Sequence, residues 1–314
     1  MMFFEEKRAA DISKAEVVES LYGFFPDIRE SDIRFFYHGT YNVYEVKHHY
    51  IFRIPDKTFR NIKGIRLIQN ELKMLYHIQK YVSVPIPEPI YISLDSDCPL
   101  MGYEKIEGIP LSRCFCKASQ NEKLRTAREI GEFLSDLHSD DLYQSALRNQ
   151  IVDDIFSCEK YKAEWENYFE RAKNKIFRLL NPNQKNWIKN LFNTFLNKEA
   201  NFDFRYSIIH GDFDITNILV DPHTFKITGI VDFEESRIYD PAYDFLFYDE
   251  GDNFLKEIFL SYRRKIDSEF QERMRFLYGW SCLAYLEFGI DNALPDLIEA
   301  GFQLLKHKMN RFPF

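Results

Sequence analysis

Short runs of β-branched and aromatic residues give way along this chain to apolar positions at helical spacing, and the change divides it. Ile33–Tyr37, Val43–Lys47 and Tyr50–Ile54 are short runs rich in β-branched and aromatic residues, which predict strands. The turn-prone stretch from His38 to Asn42 separates the first two, and His48-His49 separates the next, giving an antiparallel meander. Over Ile65–Tyr81 the period becomes helical, with Leu67, Ile68, Leu72, Leu75 and Ile78 apolar. Pro85, Pro87 and Pro89 end that helix. Ile90–Leu94 and Leu100–Ile106 then predict two more strands, joined through Asp95 to Pro99. Five strands and one helix are complete by residue 107, and Glu107–Leu111 reads as an inter-lobe linker.

Beyond it the helical period dominates. Ala127–His138 carries Ile130, Phe133, Leu134 and Leu137 at i, i+3, i+4, i+7 spacing. Val152–Leu180, Asn183–Asn197, Asn253–Arg264, Glu269–Leu286 and Leu294–His307 read as further helices. Three short apolar runs interrupt them: Ser207–Ile209, Ile218–Val220 and Ile227–Val231 predict strands that present a loop. The pattern therefore predicts an α+β chain. An N-terminal lobe (1–107) has a five-stranded antiparallel sheet and one helix; a larger, mainly helical lobe covers 108–314.

Composition adds limits. The chain has 314 residues and is 45% hydrophobic, enough for a sizeable core. Its net charge of -8 argues against nucleic acid and suits a cationic ligand, although solubility explains such a charge equally well. The start, residues 1–8, has acidic residues where a signal peptide needs basic ones, and no apolar run approaches the length of a membrane span. Five irregularly spaced cysteines, with no Cys/His pair to complete a zinc site at Cys114 and Cys116, fit a reduced cytoplasmic protein. A monomer is expected, since no long exposed apolar stripe is evident.

The loop between the short strands carries the chemistry. Residues Ile208–Asn217 read Ile-Ile-His-Gly-Asp-Phe-Asp-Ile-Thr-Asn, and Gly229–Glu234 read Gly-Ile-Val-Asp-Phe-Glu. Taken singly, Asp and Asn are ordinary turn formers. Together they supply what phosphoryl transfer needs: Asp212 to orient a hydroxyl nucleophile, and Asn217 with Asp232 to hold magnesium on the phosphates.

This combination resembles the antibiotic phosphotransferases related to protein kinases. Phe52-Arg53-Ile54-Pro55, Asn70-Glu71-Leu72, the segment Gly102–Leu111 and Asp240-Pro241-Ala242-Tyr243-Asp244-Phe245 extend the resemblance over most of the chain. It is most similar to the aminoglycoside 2''-phosphotransferases. The resemblance implies a bilobal protein-kinase-like fold, ATP or GTP as phosphoryl donor with Mg2+, and a cationic antibiotic as acceptor. In that reading Asp212 is the catalytic base and Asn217 and Asp232 are the metal ligands, while His210 braces the loop. The backbone at Glu104 and Ile106 would meet the purine. Gly39 and Thr40 would lie near phosphate, although a lone glycine there is no phosphate-loop signature.

Arg53 stands where that family has Lys. It would contact phosphate and pair with Glu71, or else face solvent and leave the phosphate to Lys57 or Lys63. For the acceptor, Asp214, two beyond the base, would touch substrate or else cap its own loop, and Glu234, Glu235, Asp240, Asp244, Asp249, Glu250 and Asp252 form an acidic stretch after the metal loop. Ammonium groups are recognised there through charge-assisted hydrogen bonds, or else the stretch is a solvated helix start. Trp280, Tyr285, Glu287 and Asp291 are candidates to complete that pocket, with Asp244 packed behind it. A macrolide, choline, homoserine or a sugar remains an alternative acceptor, and a non-catalytic nucleotide-binding protein an alternative class.

Overall fold

A computed structural model describes residues 9–95, 97–151 and 157–313 of the chain. The start at residues 1–8 and the expected beginning of the Val152–Leu180 helix, residues 152–156, lie outside the described residues.

The first described element is a short helix, α1 (Lys14–Leu21), held at its start by a reciprocal capping box between Ser13 and Glu16. Three strands follow, β1 (Ile33–His38), β2 (Tyr41–Val46) and β3 (Tyr50–Pro55), then α2 (Ile62–Ile78), β4 (Pro89–Ser93) and β5 (Leu100–Glu104). A two-residue strand β6 (Ile109–Pro110) precedes α3 (Gln120–Leu137), α4 (Asp140–Arg148), α5 (Cys158–Lys175) and α6 (Pro182–Leu196). The short strands β7 (Ser207–Ile209), β8 (Ile218–Val220), β9 (Ile227–Ile230) and β10 (Arg237–Tyr239) come next. The helices α7 (Asp252–Ser261), α8 (Ser268–Asp291) and α9 (Pro295–Arg311) end the chain.

The expected strands and helices are present with boundaries shifted by a few residues. Two helices were not expected. In α1 only Val17 and Leu21 are buried, and in α4 only Leu142, Ser145 and Ala146, so neither is long enough to display a helical period. Helix α3 begins seven residues before the expected Ala127, because Ser119 and Glu122 form a polar cap ahead of its apolar stripe.

The chain divides into two compact units. Among the described residues, one comprises 9–126 with 215–236 and the other 127–214 with 237–313. In the first unit a five-stranded antiparallel sheet runs in the order β1-β2-β3-β5-β4. One side of it buries Leu21, Ile33, Tyr44, Val46, Phe52, Ile54 and Leu100. A second cluster joins Tyr41 and Met101 of the sheet to Ile68 and Leu72 of α2. A small sheet in the order β6-β8-β9 belongs to the same unit. Gly229 of β9 has no side chain because a Cβ there would come within 2.6 Å of Ile106, on the segment after β5.

The second unit is built on aromatic packing. Phe195 of α6 stacks on Phe276 of α8 at 3.7 Å between centroids, and Trp165 of α5 meets Phe276 edge-on at 4.9 Å. Helices α8 and α9 form an antiparallel pair, and β7 pairs with β10. None of the five cysteines is in a disulfide. Among the described residues no helix is long and apolar enough to cross a membrane.

Candidate active site

The first unit gathers charge around Arg53. Strand β3 places Arg53 inward, 4% exposed, with its guanidinium carbon 4.2 Å above the ring of Tyr41. The buried position excludes a solvent-facing Arg53; Lys57 and Lys63, the alternative cations, are exposed. One terminal nitrogen of Arg53 donates to Glu71 of α2. The other donates to Asp232 Oδ1 and to Glu234 Oε2, each at 2.8 Å. Three carboxylates thus share one guanidinium.

That crowding shows in their acidity. Burial pushes Glu71 up to about 7, with Arg53 pulling the other way and Asp232 adding repulsion. Burial pushes Glu234 up to about 8, and its neighbour Asp232 adds to the shift. The guanidinium does not balance the cluster by itself.

The β8–β9 hairpin sets where two of the sequence candidates emerge. Ile218 is opposite Ile230, and the N–H of Val231 donates to the carbonyl of Asn217 at 3.0 Å. Asn217, immediately before β8, and Asp232, just after β9, therefore leave the same end of one hairpin. Phe233 is fully buried and fixes the turn, so Asp232 and Glu234 on either side of it both reach Arg53. Asp232 adopts φ 72°, in the left-handed region that an Asp tolerates better than most residues. An amide oxygen and a carboxylate at one hairpin end, beside a cluster in which three carboxyl groups share one guanidinium, make a donor set that fits a hard divalent cation.

The β1–β2 turn carries Gly39 and Thr40. The Gly39 N–H donates to the Tyr41 carbonyl at 2.9 Å, and the Thr40 carbonyl accepts from Asp56 N–H at 2.8 Å. Glu104, the last residue of β5, is opposite Tyr50 and exposed, and Ile106 lies against β9.

The second unit holds Asp212 on a braced loop. Strand β7 leads into buried His210, then Gly211 at φ 88°, a conformation glycine adopts without strain, then exposed Asp212. The bracing group is Asp244, fully buried: it accepts from the His210 N–H at 2.7 Å and the Gly211 N–H at 3.0 Å. His138, at the end of α3, adds a bond from Nε2 to Asp244 Oδ2 at 3.1 Å, while its Nδ1 meets the Tyr262 hydroxyl at 3.0 Å. Burial holds His138 below its ordinary value, against the pull of Asp244. Burial pushes Asp244 up, but its hydrogen bonds outweigh that and keep the carboxyl below the usual range. A neutral His138 with its proton on Nε2 satisfies both partners. Phe213 packs against Phe133, Phe247 and the His210 ring. Nothing in the spacing around Asp212 pointed to His138 or Tyr262, which are 74 residues before and 50 after it.

The acidic candidates separate. Asp249 accepts from the Tyr278 hydroxyl at 2.7 Å and from His307 at 2.6 Å. Burial works against its charge, yet these bonds keep it below the ordinary carboxylate range. Glu250 is the opposite case: both carboxylate oxygens are buried and neither has a hydrogen-bond partner among the described residues. Burial, then repulsion from Asp249 and Asp214, pushes Glu250 up to about 8. Asp252 opens α7 and pairs with Arg311 at 2.7 Å. Glu287 pairs with Lys175 and Arg171, and Asp291 with Lys175. Trp280 packs among Trp165, Tyr168 and Tyr243 as part of the aromatic core. Glu235 is exposed and Asp214 half-buried, while Glu234 is drawn to Arg53 in the first unit.

A model of the phosphotransferase enzyme family matches residues 32–277. The chain belongs to this family. Solved structures share its kinase-like fold. The GDP complex of wild-type aminoglycoside 2'-phosphotransferase-IIIa aligns with a TM-score of 0.82 at 23% identity, covering 96% of this chain and 100% of that one. A macrolide 2'-phosphotransferase from Brachybacterium faecium aligns with a TM-score of 0.72 at 15% identity, covering 92% and 97%. Among curated proteins, Acyl-CoA dehydrogenase family member 11 of Gallus gallus is 28% identical over 181 residues, which is 54% of this chain. That match spans 21% of the length of the curated relative.

Proposed function

We propose that this phosphotransferase moves the γ-phosphoryl group of ATP or GTP, with Mg2+, to a hydroxyl of a cationic aminoglycoside antibiotic, conferring resistance. The observation that carries the phosphoryl reading is the paired emergence of Asn217 and Asp232 from one hairpin end, in a cluster whose carboxylates outnumber its guanidinium. Bound there with the nucleotide, magnesium would offset charge on the phosphates. Residues 1–107 take the nucleotide, with the backbone at Glu104 and Ile106 along the purine edge and Gly39 and Thr40 near phosphate. Arg53, held in place by Glu71, supplies a planar fork to phosphate oxygens.

Residues 108–314 take the acceptor. Asp212 accepts the hydrogen bond of the acceptor hydroxyl, aligns its oxygen for in-line attack and receives the proton as the bond to phosphorus forms. The bracing of His210 and Gly211 by Asp244 holds that carboxylate still. The support for a cationic acceptor is Glu250, a buried carboxylate with no hydrogen-bond donor beside two further acidic groups, a deficit that an ammonium group would meet. The GDP and kanamycin complex of one structural neighbour and the streptomycin-ATP complex of another fit this reading. The macrolide enzyme among the neighbours supports a second acceptor class on the same fold.

Steady-state turnover with Mg2+, ATP or GTP, and a panel of aminoglycosides, macrolides and choline tests the proposal. The expected result is nucleotide turnover that depends on at least one aminoglycoside. Turnover only with a macrolide or choline overturns the acceptor assignment. Nucleotide binding without turnover on any acceptor points instead to a non-catalytic protein.

A further inference from the structure

A second polar concavity, wholly within the helical unit, has no part in the reaction above. It encloses about 560 Å³ where the segment between α6 and β7 meets the segment between α7 and α8 and the start of α8, with Phe204, Arg205, Tyr262, Arg264, Lys265 and Arg273 among its walls. Arg273 is only 3% exposed. Its Nε donates to Asp240 Oδ2 at 2.9 Å. Its guanidinium carbon lies 4.3 Å from the centre of the Phe204 ring and 5.6 Å from that of Phe270. Its two terminal nitrogens have no hydrogen-bond partner among the described residues and keep contact with solvent.

A buried guanidinium ordinarily has its donors met by protein groups or water, because an unmet donor carries a desolvation cost. Here Asp240 and the two rings occupy one edge and the faces, and the terminal edge is left for the concavity. That edge is the planar fork that a carboxylate or a phosphate oxygen pair matches.

The remaining charges on the walls are mostly committed. Arg205 pairs with Asp140 at 3.0 Å, and Lys265 with Asp267 at 3.5 Å. Asp203, the other wall carboxylate, is exposed to solvent at the rim. Arg264 has no carboxylate partner: it donates to the His138 carbonyl at 2.8 Å, to the Ser207 hydroxyl and to the Arg205 carbonyl at 3.4 Å. Two guanidinium groups, those of Arg273 and Arg264, are therefore held by neutral or single partners on one concave wall.

We propose that this concavity binds a small oxyanion, a carboxylate or a phosphate ester, on the terminal nitrogens of Arg273, with Arg264 contributing charge beside it. Titration of the full chain with inorganic phosphate, and separately with acetate, tests this at constant ionic strength against a chloride control. Each titration is repeated with saturating ADP, which fills the α- and β-phosphate positions of the nucleotide. The expected result is anion binding that survives ADP and weakens about tenfold in Arg273→Lys, which keeps the charge beside Asp240 and removes the fork. Preference for phosphate over acetate identifies the ester, and the reverse identifies the carboxylate. Binding that ADP abolishes, binding unchanged by Arg273→Lys, or no binding of either anion in the millimolar range overturns the proposal. Where Arg273→Lys does not fold, wild-type crystals soaked in phosphate decide: density on the Arg273 terminal nitrogens supports it, and density elsewhere or none overturns it. ADP affinity is measured in the same series, so failure of the nucleotide reading is seen separately.

Discussion

Two buried clusters of charge, one in each unit, solve opposite problems. Around Asp244 every group is matched: two backbone N–H groups, a neutral His138 and a carboxylate kept below its ordinary range. Around Arg53 nothing balances: three carboxylates compete for one guanidinium, and two of them, Glu71 and Glu234, are pushed up to about 7 and 8. A matched cluster fixes a backbone. An unmatched one stores a demand for a cation, which is a property of binding sites rather than of scaffolding. Glu250 repeats the second pattern within the helical unit, beside Asp249, which repeats the first.

The comparison can be pressed by substitution. The largest effect is expected at Asp212, exposed on the loop that Asp244 braces. Asp212→Ala should cost about 10²- to 10⁴-fold in turnover while unfolding midpoint and nucleotide affinity stay at wild-type values. Near-wild-type turnover in that variant removes Asp212 from the reaction.

Asp244→Ala tests the matched cluster. It strands two buried N–H groups and His138, so chemical denaturation should show a loss of about 3–5 kcal/mol. A loss under about 1 kcal/mol would mean the bracing is not what holds the loop.

Glu250 gives the pH-dependent case. Its folded carboxyl is pushed up to about 8, against an ordinary 4.5, so the folded state holds the proton more tightly than the unfolded one. Relative stability is therefore full below about 4.5 and declines as pH rises through about 8. Glu250→Gln, without ligand, should be more stable than wild type by on the order of a few kcal/mol at pH 9 and equal to it near pH 5. A gain of the same size at both pH values would place its cause in packing instead of ionisation.

The smallest stability change is expected at Asp232. Removing one of three crowded carboxylates in Asp232→Asn relieves repulsion, so the denaturation midpoint should hold or rise by about 1 kcal/mol, although turnover falls. A marked loss of stability would put Asp232 in the matched class and end the contrast with Asp244.

Much of this was legible in the chain before any coordinates. The β1–β5 runs are short, rich in β-branched and aromatic residues and bounded by turn residues, and α2 has a clear apolar stripe, so the chain located them within a few residues. Helices α1 and α4 were not, because eight or nine residues with two or three buried positions carry no readable period. The combination of Asp212, Asn217 and Asp232 stood out because its residue types and spacing are local. Glu234 was read with the acidic acceptor stretch by position, and the fold instead turns it to Arg53 across the buried Phe233.

By itself the sequence determined the family, the order of the longer helices and of the five N-terminal strands, and the local motif, since these are set by neighbours a few residues apart. Only tertiary structure decided that residues 215–236 join the sheet-bearing unit. It also decided that Arg53 is buried among three acids separated from it by up to 181 residues, and that Asp244 and His138 share one proton-bearing contact. Which charges are matched depends on desolvation and on partners that folding alone brings together, and neither quantity is written in the spacing of a chain.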